Sequence, residues 1–229
     1  YTLSLHDALP ILSQFSRRHG KMQEGGNMKL EAMNISFQYD NGNRKILNNV
    51  SISLESGERV GLTAPSGFGK TTFCKILAGY EKPDHGTVVL DGKNISSCAG
   101  YNPVQMIWQH PELSVNPRLK MREVLREGDF VEERVVRGLG IEPDWLNRYP
   151  GELSGGELQR FCIARALGKR TRFILADEIS TMLDLITQSQ IWGFLLEEVK
   201  TRDLGLLVVS HSEELLERVC GRVVDLRTD

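Results

Sequence analysis

The fold is decided by the stretch Val60-Gly61-Leu62-Thr63-Ala64-Pro65-Ser66-Gly67-Phe68-Gly69-Lys70-Thr71-Thr72. It opens with an apolar run typical of a buried strand, turns through two glycines, and leads into the helix-forming run Phe73 to Ala78. A strand, a glycine-rich turn and a helix in this order form the setting in which a P-loop surrounds phosphate groups with backbone N–H groups. The alternative, a glycine-rich turn that only caps a helix, leaves the strand unexplained. We therefore predict an α/β fold with a phosphate-binding loop.

The residue types within this loop predict a nucleotide and a metal ion. Lys70 is expected to contact the β- and γ-phosphate oxygens, and the Thr71 hydroxyl to bind Mg²⁺. Two residues depart from the pattern G-x-x-x-x-G-K-[ST], because Ala64 replaces its first glycine and Phe68 is bulky for the loop. We interpret both departures as lowering the affinity for nucleotide. The residues assigned to nucleotide binding in this loop are Ala64, Pro65, Ser66, Gly67, Phe68, Gly69, Lys70, Thr71 and Thr72.

Three further apolar runs also stop at polar residues. Because ligands of open α/β sheets bind beyond the carboxyl ends of the strands, these polar residues are predicted to meet the phosphate-binding loop at one site. The runs and the residues that follow them are Met106 to Trp108 with Gln109, Phe173 to Ala176 with Asp177-Glu178, and Leu206 to Val209 with Ser210-His211.

These strand-end residues suit the hydrolysis of a bound nucleotide. Asp177 is predicted to hold Mg²⁺ through water, while Glu178 accepts a proton from the attacking water. Gln109 is predicted to bridge Mg²⁺ and that water, and His211 to contact the γ-phosphate and orient Glu178. The alternative is a structural role for Gln109 and His211 and a solvated acidic loop for the carboxylates. The apolar strand before the acidic pair favours catalysis.

An antiparallel layer precedes the loop. Lys29 to Tyr39 and Ile46 to Leu54 alternate apolar and polar residues, and Asp40-Asn41-Gly42-Asn43 between them is a hairpin signal. At the end of the first strand, Tyr39 is predicted to stack on an adenine base. The alternative is that Phe37 and Tyr39, which share one face of the strand, only fill the core.

A second phosphate-binding turn lies in the octapeptide Leu153 to Arg160. Gly155 and Gly156 allow the backbone to approach an anion, and Ser154 is suited to cap the helix that follows. Two anion sites in one small domain suggest that the second serves another copy of the chain. Upstream, Val131, Val135 and Leu139 recur every four residues and predict a small helical subdomain at about residues 110–165, inserted into the sheet.

The composition of the chain limits the classes of function that it can have. The chain has 229 residues, 40% of them hydrophobic, which is enough for one buried core. Its formal net charge of −2 gives no electrostatic attraction to nucleic acid, and no partner of that kind is expected. Cys74, Cys98, Cys162 and Cys220 show no CxxC spacing, which predicts reduced thiols. No apolar run approaches the length of a membrane span, so any crossing of a membrane is expected to fall to another chain.

The first residues differ from the rest. Within residues 1–27 the arginines Arg17 and Arg18 follow the apolar patch Leu9 to Leu12, whereas in a secretory signal the charges come first. We therefore predict a non-native or disordered leader over residues 1–27, a natural start at Met28, and a single domain over residues 28–229.

Taken together, the P-loop, Gln109, the octapeptide, Asp177-Glu178, Asp184 and His211 resemble the ATP-binding subunit of ABC transporters. The resemblance covers residues 28–229 and implies a P-loop fold of ABC type and the hydrolysis of ATP with Mg²⁺. It also implies a place on the cytoplasmic face of the cell membrane, bound to separate transmembrane permease subunits.

The same resemblance implies a dimer of identical or closely related subunits. In this family two cassettes pack head to tail, so that Ser154, Gly155 and Gly156 of one subunit would close over the ATP held by Lys70 of the other. The stretch Ile179 to Asp184 departs from the usual Pro-Thr-Ser-Ala-Leu-Asp but retains the aspartate, which implies a working intersubunit loop that contacts the nucleotide site.

The cargo is indicated by shorter segments. Gln109 to Arg118 and Arg148 to Glu152 resemble the ATPases of oligopeptide, dipeptide and nickel importers. We therefore expect an ATPase that powers the import of peptides, nickel or a similar small solute. One alternative is a soluble ABC ATPase of translation or DNA repair, although such proteins usually carry two cassettes or a long coiled-coil insertion. Another is a regulator that binds ATP with weak turnover, as Ala64 and Phe68 suggest.

Overall fold

The computed structural model of the protein describes residues 27–39, 45–97, 100–181 and 183–227. Residues 1–26 of the predicted leader, the hairpin signal Asp40 to Asn43, Cys98 and Met182 lie outside these ranges. Within the described ranges no helix has both the length and the apolar character that crossing a membrane requires.

Strands and helices alternate along the described chain, as the sequence predicts. The strands are β1 (Lys29–Phe37), β2 (Leu47–Glu55), β3 (Arg59–Thr63), β4 (His85–Leu90), β5 (Lys93–Asn94), β6 (Val104–Ile107), β7 (Phe173–Asp177), β8 (Gly205–Val209) and β9 (Arg222–Asp225). The α-helices are α1 (Lys70–Leu77), α2 (Met121–Glu127), α3 (Glu133–Gly138), α4 (Gly155–Ala166), α5 (Leu185–Arg202) and α6 (Glu213–Val219), and short 3₁₀ helices span Ile95–Ser97, Pro111–Leu113, Pro143–Asn147 and Pro150–Glu152.

The described residues form two compact units. The sheet unit takes residues 27–106, 172–178 and 204–227, and the helical unit takes residues 107–171 and 179–203, with the gaps given above. The assignment of residues 28–229 to a single domain with a helical subdomain at about residues 110–165 stays a prediction.

The sheet unit contains two sheets. One has five strands in the order β6-β7-β8-β3-β9, and the pairs β7·β8, β8·β3 and β3·β9 are parallel. The other has four strands in the order β2-β1-β4-β5, all paired antiparallel. Every residue of β7 and β8 is buried, which explains why these strands are continuous apolar runs instead of alternating ones. The predicted α/β fold, with a mainly parallel core sheet and an antiparallel layer, is confirmed.

Element boundaries differ from the predicted ones by a few residues. β1 ends at Phe37, two residues before Tyr39, and α1 begins at Lys70 instead of Phe73. The helix begins early because Gly69 has a left-handed backbone with φ of 85°, which turns the chain directly into the first helical residue. The last residues of the P-loop pattern therefore form the first turn of α1, where backbone N–H groups have no partner inside the helix.

The helical unit is held together by apolar packing and a buried carboxylate. Val135 and Leu139, two members of the predicted apolar stripe, are buried, while Val131 lies before α3. Helices α3 and α5 pack closely, since a Cβ at Gly138 would lie 2.1 Å from Cε2 of Phe194. Glu198 on α5 is buried and accepts hydrogen bonds from both terminal guanidinium nitrogens of Arg134. A buried carboxylate is stable only with such a partner, so this ion pair fixes the two helices to each other.

Among the described residues, Cys74, Cys162 and Cys220 are free thiols. Burial raises the pKa of the Cys220 thiol to about 11, and burial likewise raises the pKa of Cys74 and of Cys162 above the ordinary value. All three thiols are therefore protonated at neutral pH and poor nucleophiles.

Candidate functional site

Two glycines shape the P-loop. Gly67 and Gly69 have φ angles of 78° and 85°, a region that residues with a side chain rarely adopt. Gly69 is also crowded, because a Cβ there would lie 2.6 Å from Cγ2 of Ile46. The backbone of the loop is therefore specified by the absence of side chains at two of its residues.

Lys70 folds back over this loop. Its side chain is buried, and Nζ donates a hydrogen bond of 2.8 Å to the carbonyl oxygen of Ala64 and a weaker one of 3.4 Å to that of Pro65. Ala64, at the position of the usual first glycine, is buried as well. The loop thus encloses a positive charge beside the start of α1, an arrangement that attracts phosphate.

Asp177 ends β7 in an apolar environment. Only 2% of its surface is exposed, and Oδ1 has no hydrogen-bond partner among the described residues. Burial raises the pKa of this carboxyl above its ordinary value and the neighbouring charge of Glu178 adds to the rise, while a hydrogen bond from the Thr71 side chain and the charge of Lys70 oppose it. A buried carboxylate oxygen without a partner, next to a hydroxyl, matches the oxygen ligands that Mg²⁺ prefers. These residues fit the predicted ion.

Glu178 and His211 are paired. Nε2 of His211 lies 2.9 Å from Oε1 of Glu178, and the Glu178 side chain is largely buried while that of His211 is half exposed. The backbone N–H of Glu178 donates a 3.1 Å hydrogen bond to the carbonyl oxygen of Val209, the last residue of β8. Glu178 has a φ of 49°, which is rare outside glycine and indicates a strained backbone at this predicted site residue. The structure therefore brings these two predicted residues together.

The strand register aligns the parts of the site within the sheet unit. Asp177 on β7 pairs with Val209 on β8, and Val209 pairs with Leu62 on β3. The carboxyl ends of these three neighbouring strands are level, and the P-loop, the acidic pair and His211 follow them directly. This is the convergence that the four polar strand ends predict, observed for the three that lie in this unit.

Tyr39 lies at the surface, where a ligand can reach it, and not in the core. The residue is 44% exposed, and its ring meets that of Phe37 edge to face with 4.8 Å between the centroids, whereas Phe37 is buried. The Tyr39 hydroxyl shares a 3.2 Å hydrogen bond with Oγ1 of Thr72 on the first turn of α1. Phe37 therefore fills the core, and Tyr39 stays exposed next to the P-loop. Its stacking on adenine stays a prediction.

In the helical unit, Ser154 caps α4. Its Oγ accepts a 3.3 Å hydrogen bond from the backbone N–H of Glu157, and Oε2 of Glu157 accepts a 2.7 Å bond from the backbone N–H of Ser154. Because Oγ is an acceptor in this capping box, the Ser154 hydroxyl can donate its own hydrogen outward. Ser154 and Gly155 are exposed, and a Cβ at Gly155 would meet nothing within 4 Å. The turn is open to a ligand.

Asp184 has a structural partner that the sequence analysis did not predict. Its carboxylate caps α5, accepting hydrogen bonds from the backbone N–H groups of Ile186 and Thr187 and from the Thr187 hydroxyl at 2.7 Å. These bonds, first of all the one from the Thr187 side chain, lower the pKa of Asp184. An aspartate directly before a helix-forming run is a sequence signal for such a cap.

Gln109 lies in the helical unit, two residues after β6. A residue that the sequence analysis missed supports its neighbour: Gln159 on α4 is buried, and its Nε2 donates a 3.4 Å hydrogen bond to the carbonyl oxygen of Trp108. The Oε1 atom of Gln159 has no partner among the described residues. The octapeptide helix is thus tied to the backbone next to Gln109.

The chain is similar to several known proteins. The family model described as ABC transporter matches residues 47–181. The nickel import ATP-binding protein NikE of Rhodospirillum rubrum is 33% identical over 201 residues, which cover 80% of this chain and 73% of that protein. A protein of Brucella ovis with the provisional name of peptide import ATP-binding protein is 33% identical over 223 residues, which cover 90% of this chain and 70% of that protein. Among solved structures, the dimeric structure of a bacterial ABC transporter cassette superposes with a TM-score of 0.73 at 26% identity, over 86% of this chain and 93% of that one.

Proposed function

The chain belongs to the ABC transporter family as an ATP-binding and ATP-hydrolysing subunit, and we propose that it powers the import of nickel, peptides or a similar small solute. The nickel and peptide importers among its relatives support this cargo class, together with the segments Gln109 to Arg118 and Arg148 to Glu152. The proposal includes separate permease subunits in the membrane and a place on its cytoplasmic face.

The observation that carries the chemistry is the Glu178–His211 pair at the level carboxyl ends of β7, β8 and β3. In the proposed mechanism Lys70 and the N–H groups of the P-loop bind the β- and γ-phosphates. Glu178 accepts the proton of the attacking water, and His211 holds the Glu178 carboxylate and contacts the γ-phosphate. Thr71, Asp177 and Gln109 would hold Mg²⁺, which supplies a positive charge to offset that of the phosphates.

Assembly completes the proposed site. In this proposal Ser154, Gly155 and Gly156 of one copy close over the nucleotide bound by the other, and Asp184, which caps α5, belongs to the intersubunit loop that contacts the nucleotide site. Binding of ATP would then hold two subunits together, and hydrolysis would release them, which changes the population of the permease states.

The decisive experiment compares steady-state ATP hydrolysis by the wild type and by Glu178→Gln. Loss of a general base lowers the turnover number about 10²- to 10⁴-fold, while ATP binding persists. Glu217→Gln, which removes an exposed carboxylate on α6 of the same unit, is the matched control and should hydrolyse ATP like the wild type. Equal turnover in the wild type and Glu178→Gln would contradict the mechanism, and binding without turnover in the wild type would indicate the regulator instead.

The cargo requires a separate measurement. Cells with and without the gene are compared for uptake of radioactive Ni²⁺ and of a labelled dipeptide, with the Glu178→Gln allele as the control for the role of hydrolysis. Loss of one uptake in both the deletion and the mutant identifies the cargo. Unchanged uptake of both compounds would contradict the proposed cargo class.

A further inference from the structure

The turn that begins α4 carries a negative charge where a phosphate is proposed to bind. Glu157 is the third residue of the helix, and its carboxylate accepts the backbone N–H of Ser154 at 2.7 Å. No cationic side chain of the described residues forms an ion pair with Glu157. Arg160, the nearest arginine in the sequence, donates instead to the carbonyl oxygen of Leu139 at 2.5 Å and to Oε1 of Gln190 at 3.1 Å. The charge of Glu157 therefore remains at the turn.

This carboxylate opposes an incoming phosphate in two ways. It occupies the N–H of Ser154, a donor that a turn of this kind would otherwise present to an anion. It also cancels part of the positive potential at the start of α4, because a carboxylate in the first turn is attracted to the same end of the helix dipole as the phosphate is. Like charges at close range repel, so the turn binds a phosphate less well than its glycines alone would allow.

We propose that Glu157 weakens the closure of the Ser154 turn over the nucleotide of the partner copy, and thereby sets how tightly ATP holds two copies together. This inference rests on the proposed function, since it concerns the same turn and the same closure. Glu157 acts as an affinity-determining residue: its charge keeps the ATP-bound dimer easy to open, which favours repeated cycles of closing and release.

The substitution Glu157→Gln isolates the charge. The glutamine amide oxygen accepts the same hydrogen bond from the backbone of Ser154, so the capping box and the helix are retained. A charge at a helix end is worth about 0.3–1 kcal/mol, which corresponds to roughly 2- to 5-fold in an equilibrium constant. Because closure forms two such sites at once, the dimer dissociation constant should fall about 4- to 25-fold.

The experiment measures the ATP-dependent dimer of the full chain by sedimentation equilibrium in a Glu178→Gln background, where ATP is not consumed. Glu157→Gln is added to this background, and Glu152→Gln serves as the matched control. The Glu152 carboxylate likewise accepts the backbone N–H of the residue three positions earlier, Tyr149, at 2.7 Å, but does so in the 3₁₀ helix before the turn. The affinity of single protomers for ATP is measured at concentrations far below dimer formation.

We expect a tighter dimer in Glu157→Gln, no change in Glu152→Gln, and unchanged ATP affinity of the protomers. The difference should shrink as salt is raised, because screening acts on the charge and not on the fold. If the Glu178→Gln dimer forms with ATP but Glu157→Gln leaves its dissociation constant unchanged at low salt, or weakens it, the inference is wrong and the proposed function stands. If no ATP-dependent dimer forms in Glu178→Gln at all, the proposed assembly fails, and this inference with it.

Discussion

Helices α1 and α4 both begin at glycine-rich turns, yet the two turns are built with opposite charge. At α1 the glycine Gly69 leads directly into the helix, and the charged group at the turn is the ammonium of Lys70. At α4 Ser154 caps the helix with its hydroxyl, and the charged group at the turn is the carboxylate of Glu157. The first turn has the charge that the proposed binding of phosphate requires. The second offers a hydroxyl and glycines but needs a phosphate that is held firmly elsewhere.

The largest expected effect comes from removing the cation of the first turn. Lys70→Met should lower ATP turnover about 10²- to 10³-fold, the usual cost of losing one charged or polar group that stabilises a transition state. Lys82→Met, at an exposed lysine of the same unit, is the control. For both variants, turnover is measured by steady-state ATP hydrolysis and affinity by the binding of a fluorescent ATP analogue. Normal turnover in Lys70→Met would show that the positive charge at the first turn is not needed, which would contradict the contrast between the two turns.

The glycines of the two turns should respond differently to alanine. Gly69→Ala places a Cβ at a φ of 85° and 2.6 Å from Ile46, which should destabilise the loop by about 1–3 kcal/mol and weaken ATP binding in proportion. Gly155→Ala meets nothing within 4 Å and should leave the free energy of unfolding within about 0.5 kcal/mol of the wild type. Urea unfolding of both variants tests this contrast, and equal destabilisation would contradict it.

Two substitutions of Ser154 separate its role as a helix cap from its proposed role in binding phosphate. Ser154→Ala loses the cap of α4 and should cost about 1 kcal/mol of stability. Ser154→Asp keeps a capping oxygen and should retain stability, but its added charge should weaken the ATP-dependent dimer of the Glu178→Gln protein. The measurements are thermal unfolding and sedimentation. A dimer of Ser154→Asp as tight as the serine form would exclude the turn from nucleotide binding.

The smallest effect concerns the two aspartates with opposite pKa shifts. Asp177 has a raised pKa in the fold, so its charged form costs stability at neutral pH, and that cost is relieved as the pH falls through the folded pKa. Asp177→Asn should therefore raise the melting temperature of the ligand-free protein at pH 7, with a difference that shrinks towards acid.

The pKa of Asp184 is shifted in the opposite direction, downwards. Its lowered pKa contributes stability that is present above the unfolded pKa and is lost as the pH falls through the folded one. Asp184→Asn keeps one capping oxygen but loses the charge, so it should lower the melting temperature slightly at pH 7, with a difference that disappears towards acid. A destabilised Asp177→Asn protein at neutral pH would show that the buried carboxylate has a partner that offsets its desolvation.

The sequence predicted the fold and the placement of several candidate site residues wherever the pattern is local. Strand, loop and helix around Lys70 are contiguous, and the acidic pair follows its strand directly, so the fold class and three convergent strand ends could be inferred. The contact between His211 and Glu178 joins residues far apart in the chain. It was expected because polar residues follow both strands, and the register of β7 on β8 supplies the geometry.

Other features depend on backbone conformation that residue type does not indicate. The left-handed φ of Glu178 and the arch of Lys70 over the carbonyl of Ala64 carry no sequence signal. For Asp184 the family resemblance implies a role near the nucleotide, whereas its carboxylate caps α5, a role that an aspartate before a helix-forming run does signal.

The strained backbone at Glu178 has a consequence for the evolution of this chain. Glycine and asparagine tolerate a left-handed conformation better than glutamate does, so exchanging Glu178 for either relieves strain, while under the proposed mechanism it removes the general base. Selection for turnover would then oppose this exchange. Relatives that bind ATP but no longer hydrolyse it should therefore carry glycine or asparagine at position 178. That residue can serve as a marker of inactive ATPases in genome surveys.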